Sequence, residues 1–301
     1  RVVRTRAQRA NAQVGTAADA AFVGFAIGPG APKTVLIRAI GPALTGFGVT
    51  GALADPKIEI YSGDNRLLGE NDNWTATSVG GTAAFSQVGA FALTANSRDA
   101  ATAITLGPGS YTAIVRGVAD GTGIALVEVY DVNGEARLRN LSTRARVGTG
   151  AGVLISGLAV APGGPARRIL ARAAGPALSG LGVTGALADP AIAVIEADTN
   201  RQLAANDNWG STDATALTAA FNQAGAFAFA AGSRDSAPWG WPRSDSSRRI
   251  APRANRSQSR RGEADLVERQ WPARRVGQGI ARLDRRGGCR HHLPSGGEGP
   301  A

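Results

Sequence analysis

Several residue types are scarce in this 301-residue chain, and each scarcity closes off a class of function. There is one cysteine, Cys289. That excludes a disulfide framework and any metal cage built from several thiolates. The only histidines are His291 and His292, so a Ser-His-Asp or Cys-His arrangement would have to draw on the C-terminal end. No GxSxG elbow and no HExxH motif occurs. Nothing marks a carboxylate pair for glycoside hydrolysis. No run of 18 apolar residues is present, so no membrane span is expected. Methionine is absent and the chain starts at Arg1, which reads as a processed or partial form whose leader would be invisible. Aromatic residues make up only 5%, yet 43% of the chain is hydrophobic. That is enough for a core and argues against wholesale disorder. The length fits about two domains of ordinary size.

The charge is unevenly placed. The chain carries 33 basic and 23 acidic residues, a net charge of +10. Residues 237–301 hold 14 arginines, no lysine and 6 acidic residues, a net +8. Residues 1–236 are therefore close to neutral. The only lysines are Lys33 and Lys57. Such a preference for arginine is a mark of GC-rich coding before it is a mark of a partner.

An internal repeat organises residues 1–236. Gly41–Pro56 reads GPALTGFGVTGALADP and Gly175–Pro190 reads GPALSGLGVTGALADP. Val14-Gly15-Thr16 answers Val147-Gly148-Thr149. Asn71-Asp72-Asn73-Trp74 answers Asn206-Asp207-Asn208-Trp209, and Ser97-Arg98-Asp99 answers Ser233-Arg234-Asp235. The offset drifts from 133 to 136. A period this long means domains, not solenoid turns.

Short apolar or alternating runs in copy one predict strands over Ala21–Ile27, Thr34–Ile40, Lys57–Tyr61, Ala90–Leu93, Ala103–Leu106, Tyr111–Arg116 and Ile124–Tyr130. Glycine, proline and asparagine turns separate them. The pattern predicts an all-β fold of two tandem β-sandwich, jelly-roll-like domains. Copy one covers 1–139 and copy two 140–236. Asp213–Ala224 predicts a short helix, and Thr82–Val88 a weaker counterpart. Arg4-Thr5-Arg6 and Thr143–Arg146 alternate charge, which suits exposed edge strands.

Copy two breaks off after Ser236. Copy one continues AATAITLGPGSYTAIVRGVADGTGIALVEVYD, whereas copy two turns into SAPWGWPRSDSSRR. Copy two therefore lacks its last three strands, which predicts a marginal domain with unpaired backbone. The tail over 237–301 has seven Val, Ile, Leu or Phe residues in 65, too few for a core. It reads either as a basic arm for nucleic acid or as an out-of-frame peptide. The second reading accounts for a break inside a strand, so nucleic acid is not the expected partner.

The repeated motifs have plain readings. Gly46–Gly51 and Gly180–Gly185 match GxGxxG, but no helix fits behind them, so they read as Gly-rich connections. Asn71, Asp72 and Asn73, with Asp207 in copy two, form the best polar clusters. They read as Asx turns or as hard oxygen ligands for Ca²⁺. Trp74 and Trp209 read as plugs of the sandwich edge or as surfaces that contact a sugar. Arg98 beside Asp99 reads as a turn-stabilising ion pair. Cys289 with Arg290-His291-His292 reads as coincidence.

The run KTVLIRAIGPAL, GVTGALADPKIEIYSGDNRLLGENDNW, VGAFAL and SRDAATAITLGPGSYTAIVRGVADGTGIALVEVYD resembles Ala/Gly-rich repeat domains of large secreted and surface proteins of Gram-negative bacteria. From Asp55 onward it is more distantly similar to bacterial pre-peptidase C-terminal domains, with Gly109–Val115 in the place of their last GxYxxxV strand. The resemblance spans about 1–236. It implies an extracellular or cell-surface β-sandwich without catalytic activity, sometimes calcium-dependent, attached to adhesins or hydrolases. The expected function is a binding, adhesion or spacer module that contacts carbohydrate or an extracellular protein. The alternatives are an accessory domain of a secreted hydrolase whose catalytic part lies elsewhere, and a nucleic-acid binder acting through the tail.

Overall fold

Period-two alternation sets the sheets. In β2 (Ala21–Ile27) every second residue, from Ala21 to Ile27, is buried. The computed structural model describes residues 5–81, 83–132, 138–160, 169–197, 199–211 and 213–238. Of the tail over 237–301, expected without fixed structure, Ala237 is buried and donates its N–H to Asn206 Oδ1 at 2.9 Å, and 239–301 lie outside the described residues.

Copy one supplies β1 (Thr5–Val14), β2, β3 (Lys33–Ile40), β4 (Pro56–Ser62), β5 (Leu67–Asn71), the one-turn helix α1 (Ala83–Gln87), β6 (Ala100–Leu106), β7 (Gly109–Gly117) and β8 (Gly123–Asp131). Copy two supplies β9 (Leu138–Arg144), β10 (Ile155–Val160), α2 (Pro176–Ser179), β11 (Ile192–Glu196), β12 (Arg201–Asn206) and α3 (Ala214–Ala224). The chain is all-β. Two five-stranded antiparallel sheets run β10-β1-β8-β3-β6 and β5-β4-β7-β2-β9, and β11-β12 pair separately.

The two five-stranded sheets enclose one core. Val23 and Phe25 of β2, Ile37 of β3, Ile58 and Ile60 of β4, Val115 of β7 and Val127 of β8 all contribute to it. A second apolar layer covers the outer face of the β3-β8 sheet. There Leu36, Ile40 and Tyr130 meet Trp74, Phe85 and Leu93. The expected strand at Ala90–Leu93 is irregular backbone in this layer. Its Phe91 carbonyl accepts a hydrogen bond from Arg38 Nη1 at 2.6 Å, in place of a ladder partner.

The copies are joined by strand pairing. β10 of copy two pairs with β1 of copy one, and β9 pairs with β2. The two seams share one register. Ala10 faces Ser156, and Val23 faces Thr143. Translation by the 133-residue repeat converts the first pair into the second. The same holds for Arg9–Gly157 and Gly24–Ser142, and for Asn11–Ile155 and Phe22–Arg144. The seam is thus self-complementary, as in a two-fold symmetric dimer. It also changes the place of β1. Charge alternation suggested an edge, but β1 lies between β8 and β10 because copy two adds a strand outside it. Arg144 does lie on an edge strand, β9.

Copy two keeps less of its own sheet. Residues 169–174, equivalent to the C-terminal part of β3, form no strand. One bridge, Ala173 to Ser236, remains where Ala39 and Ala100 pair in copy one. Its outer layer is nevertheless preserved. Leu217 and Phe221 of α3 pack with Trp209 and Phe229. Asp213 caps α3 by accepting from the Ala216 N–H at 2.9 Å. Among the described residues, no helix is long and apolar enough to cross a membrane.

Candidate functional site

The asparagine loop is the strongest polar cluster in the sequence, and it repeats with its bonds intact. Asn71 ends β5. Its amide donates to the Asn73 carbonyl at 3.0 Å, and its oxygen accepts from the Ala101 N–H at 2.9 Å. Asn206 ends β12 and does the same, donating to the Asn208 carbonyl at 2.9 Å and accepting from the Ala237 N–H at 2.9 Å. Each asparagine therefore ties its loop to the following segment. Asp72, Asn73 and Asp207 lie beside these ties. Asp72, Asn73 and Asp207 are exposed except that Asn208, the partner of Asn73, is half-buried. Among the described residues, no group of three or more His, Cys, Asp or Glu side chains is arranged to hold a metal ion.

Both tryptophans face inward. Trp74 packs against Phe85 at 5.3 Å, and its indole N–H donates to the Thr94 carbonyl at 3.1 Å. Trp209 packs against Phe221 at 5.8 Å and donates to the Ala230 carbonyl at 3.2 Å. Both are buried.

Sequence reasoning missed the role of Asp99. The adjacent Arg98 does not pair with it but reaches Asp55 at 2.9 Å. Asp99 is fully buried and accepts from the Gly41 N–H at 2.8 Å, the Ala43 N–H at 3.2 Å and the Ser97 hydroxyl at 2.7 Å. Asp235 repeats the arrangement with Gly175 at 2.7 Å, Ala177 at 3.2 Å and Ser233 at 2.8 Å. Arg234 pairs with Asp189. Gly41 must be glycine for this close approach, since a Cβ there would lie 2.0 Å from the Leu53 carbonyl oxygen. The repetition of Ser-Arg-Asp was the available signal.

A buried charge row crosses the larger sheet of copy one. Arg9 on β1, Glu128 on β8 and Arg38 on β3 are direct neighbours in register. Glu128 meets Arg9 Nε at 2.8 Å and Arg38 Nε at 3.0 Å. Tyr130 donates to Glu128 at 2.9 Å. Burial, then the charge of Glu128, pushes the Tyr130 hydroxyl above its ordinary range, against the opposing pull of Arg38 and Arg9. The Arg38 guanidinium also lies over Phe91 and Phe85, 4.4 and 4.9 Å from their centroids.

Arg172 occupies the position of Arg38 in copy two. It lies over Phe229, Phe227 and Phe221 at 4.0, 4.3 and 4.4 Å. Among the described residues, copy two has no counterpart of β8, and no glutamate there answers Glu128. Arg172 Nε and Nη2 have no hydrogen-bond partner among the described residues. Burial lowers its pKa to about 10, against the pull of Asp235.

Comparison with known proteins finds no matching family model, no matching curated protein and no matching solved structure.

Proposed function

We propose that the chain is a non-catalytic spacer and binding module of a larger extracellular or cell-surface protein. One observation carries this reading: the seam between the copies has the same register from either side, so the two copies are joined through their sheets into one body. Such a seam uses the first two strands of both copies and closes on the pair, which makes the two repeats one rigid spacer unit. The internal use of Asn71, Asp99 and Trp74, repeated in Asn206, Asp235 and Trp209, supports it further, because the most distinctive polar residues hold the fold together. The exposed loop at Asp72 and Asn73 is the part left to meet a carbohydrate, an extracellular protein or Ca²⁺. The likeness to secreted Ala/Gly-rich repeats agrees with this placement.

The test uses the full chain on an array of immobilised polysaccharides, with and without millimolar Ca²⁺, alongside glycoside, ester and peptide substrates. Retention on one class of glycan, lost in the Asp72→Ala/Asn73→Ala variant, supports the binding role. Calcium dependence would also appear as a raised melting temperature, since a ligand of the native state stabilises it. Turnover of any substrate contradicts the non-catalytic reading.

A further inference from the structure

The broken repeat leaves two sheet edges whose missing neighbours can be named. In copy one, β2 has β9 on one side and β7 on the other. Its equivalent β10 has β1 on one side and, among the described residues, no strand on the other. Likewise β1 lies between β10 and β8, whereas its equivalent β9 has, among the described residues, only β2. The two places that no described strand fills are those of β7 and β8.

The edges differ in their protection. β9 carries the charge of Arg144. β10 reads ISGLAV, with neither charge nor proline to discourage pairing. Ile155 is 45% exposed and Leu158 41%. Their equivalents in copy one, Phe22 and Phe25, face Ile114 and Tyr111 of β7, and Phe25 is buried and stacks on Tyr111 at 5.5 Å.

Arg172 gives a second, independent sign. Its counterpart Arg38 faces Glu128 of β8. An arginine already stacked on three phenylalanines, with Nε and Nη2 unpaired among the described residues, is a half-built site for a carboxylate.

We infer that the open side of copy two is a strand-acceptor site for a two-strand segment with the chemistry of residues 109–131: an alternating apolar strand that pairs antiparallel with β10, followed by a strand whose glutamate meets Arg172. Backbone pairing at an open edge supplies affinity, and the alternate side chains supply register and specificity. The repeat fixes that register. Ile155 faces the donor's Ile114, Leu158 its Tyr111, and Arg172 its Glu128.

The test adds a synthetic peptide of residues 107–131 to the full chain. Binding is followed by fluorescence anisotropy, and backbone protection by hydrogen exchange. Saturable binding is expected, with new protection of the amides of residues 155–158. A Glu128→Gln peptide is expected to bind about tenfold more weakly, the loss of one charge-assisted bond. The Arg172→Met chain should not distinguish the two peptides. Absence of binding overturns the inference, as does equal binding by a scrambled peptide. Protection of 155–158 in the chain alone overturns it too, because a second copy or another segment then holds the edge. Equal affinity of the glutamate and glutamine peptides for the unaltered chain overturns the role of Arg172.

Discussion

Arg38 meets Glu128 at 3.0 Å with both side chains withdrawn from solvent, and this ion pair has no equivalent among the described residues of the second copy. Breaking such a pair leaves a buried charge uncompensated and costs about 3–5 kcal/mol. Arg172 has no glutamate against it among the described residues, so its removal releases a burial penalty instead of creating one. Glu128 keeps Arg9 at 2.8 Å, so Arg38→Met is expected to destabilise the chain by less than the full cost, about 2 kcal/mol. Arg172→Met is expected to be neutral or stabilising. Urea denaturation of both variants checks the difference, and equal losses would contradict it.

Asp99 holds two backbone N–H groups that nothing else among the described residues serves. Asp99→Ala leaves both buried without a partner and is expected to cost about 3 kcal/mol. Asp99→Asn keeps an acceptor in place and should lose less. Asp235→Ala should act on copy two alone, raising amide exchange around residues 173–177 while β3 stays protected. Hydrogen exchange resolved by residue makes that comparison.

Tyr130 makes stability depend on alkaline pH. Its hydroxyl has a raised pKa in the folded chain, so folding favours the protonated form. This contribution is fully present below the ordinary value near 10 and is lost as pH rises from there towards the folded value. Stability should fall above pH 10 by up to about 1.4 kcal/mol per pH unit from this group. Tyr130→Phe should flatten that fall. Chemical denaturation at pH 8, 10 and 11 measures both slopes.

Much of the fold is legible in the sequence because alternation and turn residues act locally. β2 spans Ala21–Ile27 as its pattern predicts, and α3 spans Ala214–Ala224 within the Ala-rich stretch that predicts a helix. The interior position of β1 is not legible. Its neighbour β10 belongs to the next copy, and a local pattern does not name a distant partner. Ala90–Leu93 is apolar enough for a strand, but its hydrophobic residues serve a layer outside the sheet. The candidate loop shows the same division. The pairing of Asn71 with Asn73 follows from short-range Asx geometry. The tie from Asn71 to Ala101 joins residues 30 apart. Asp99 was misread because the nearest charge in sequence, Arg98, is not its partner in space.

The central claim is that the first two strands of copy two complete the sandwich of copy one in one repeated register. Paired cysteines test it most directly, in a chain whose Cys289 is replaced by serine. The variants Ala10→Cys/Ser156→Cys and Val23→Cys/Thr143→Cys place a thiol on each side of the two seams. Under mild oxidation, each pair is expected to form an intramolecular disulfide, seen as a mobility shift and a linked peptide by mass spectrometry. Free thiols in both pairs, or cross-linking only when one partner is moved two residues along its strand, would contradict the shared register.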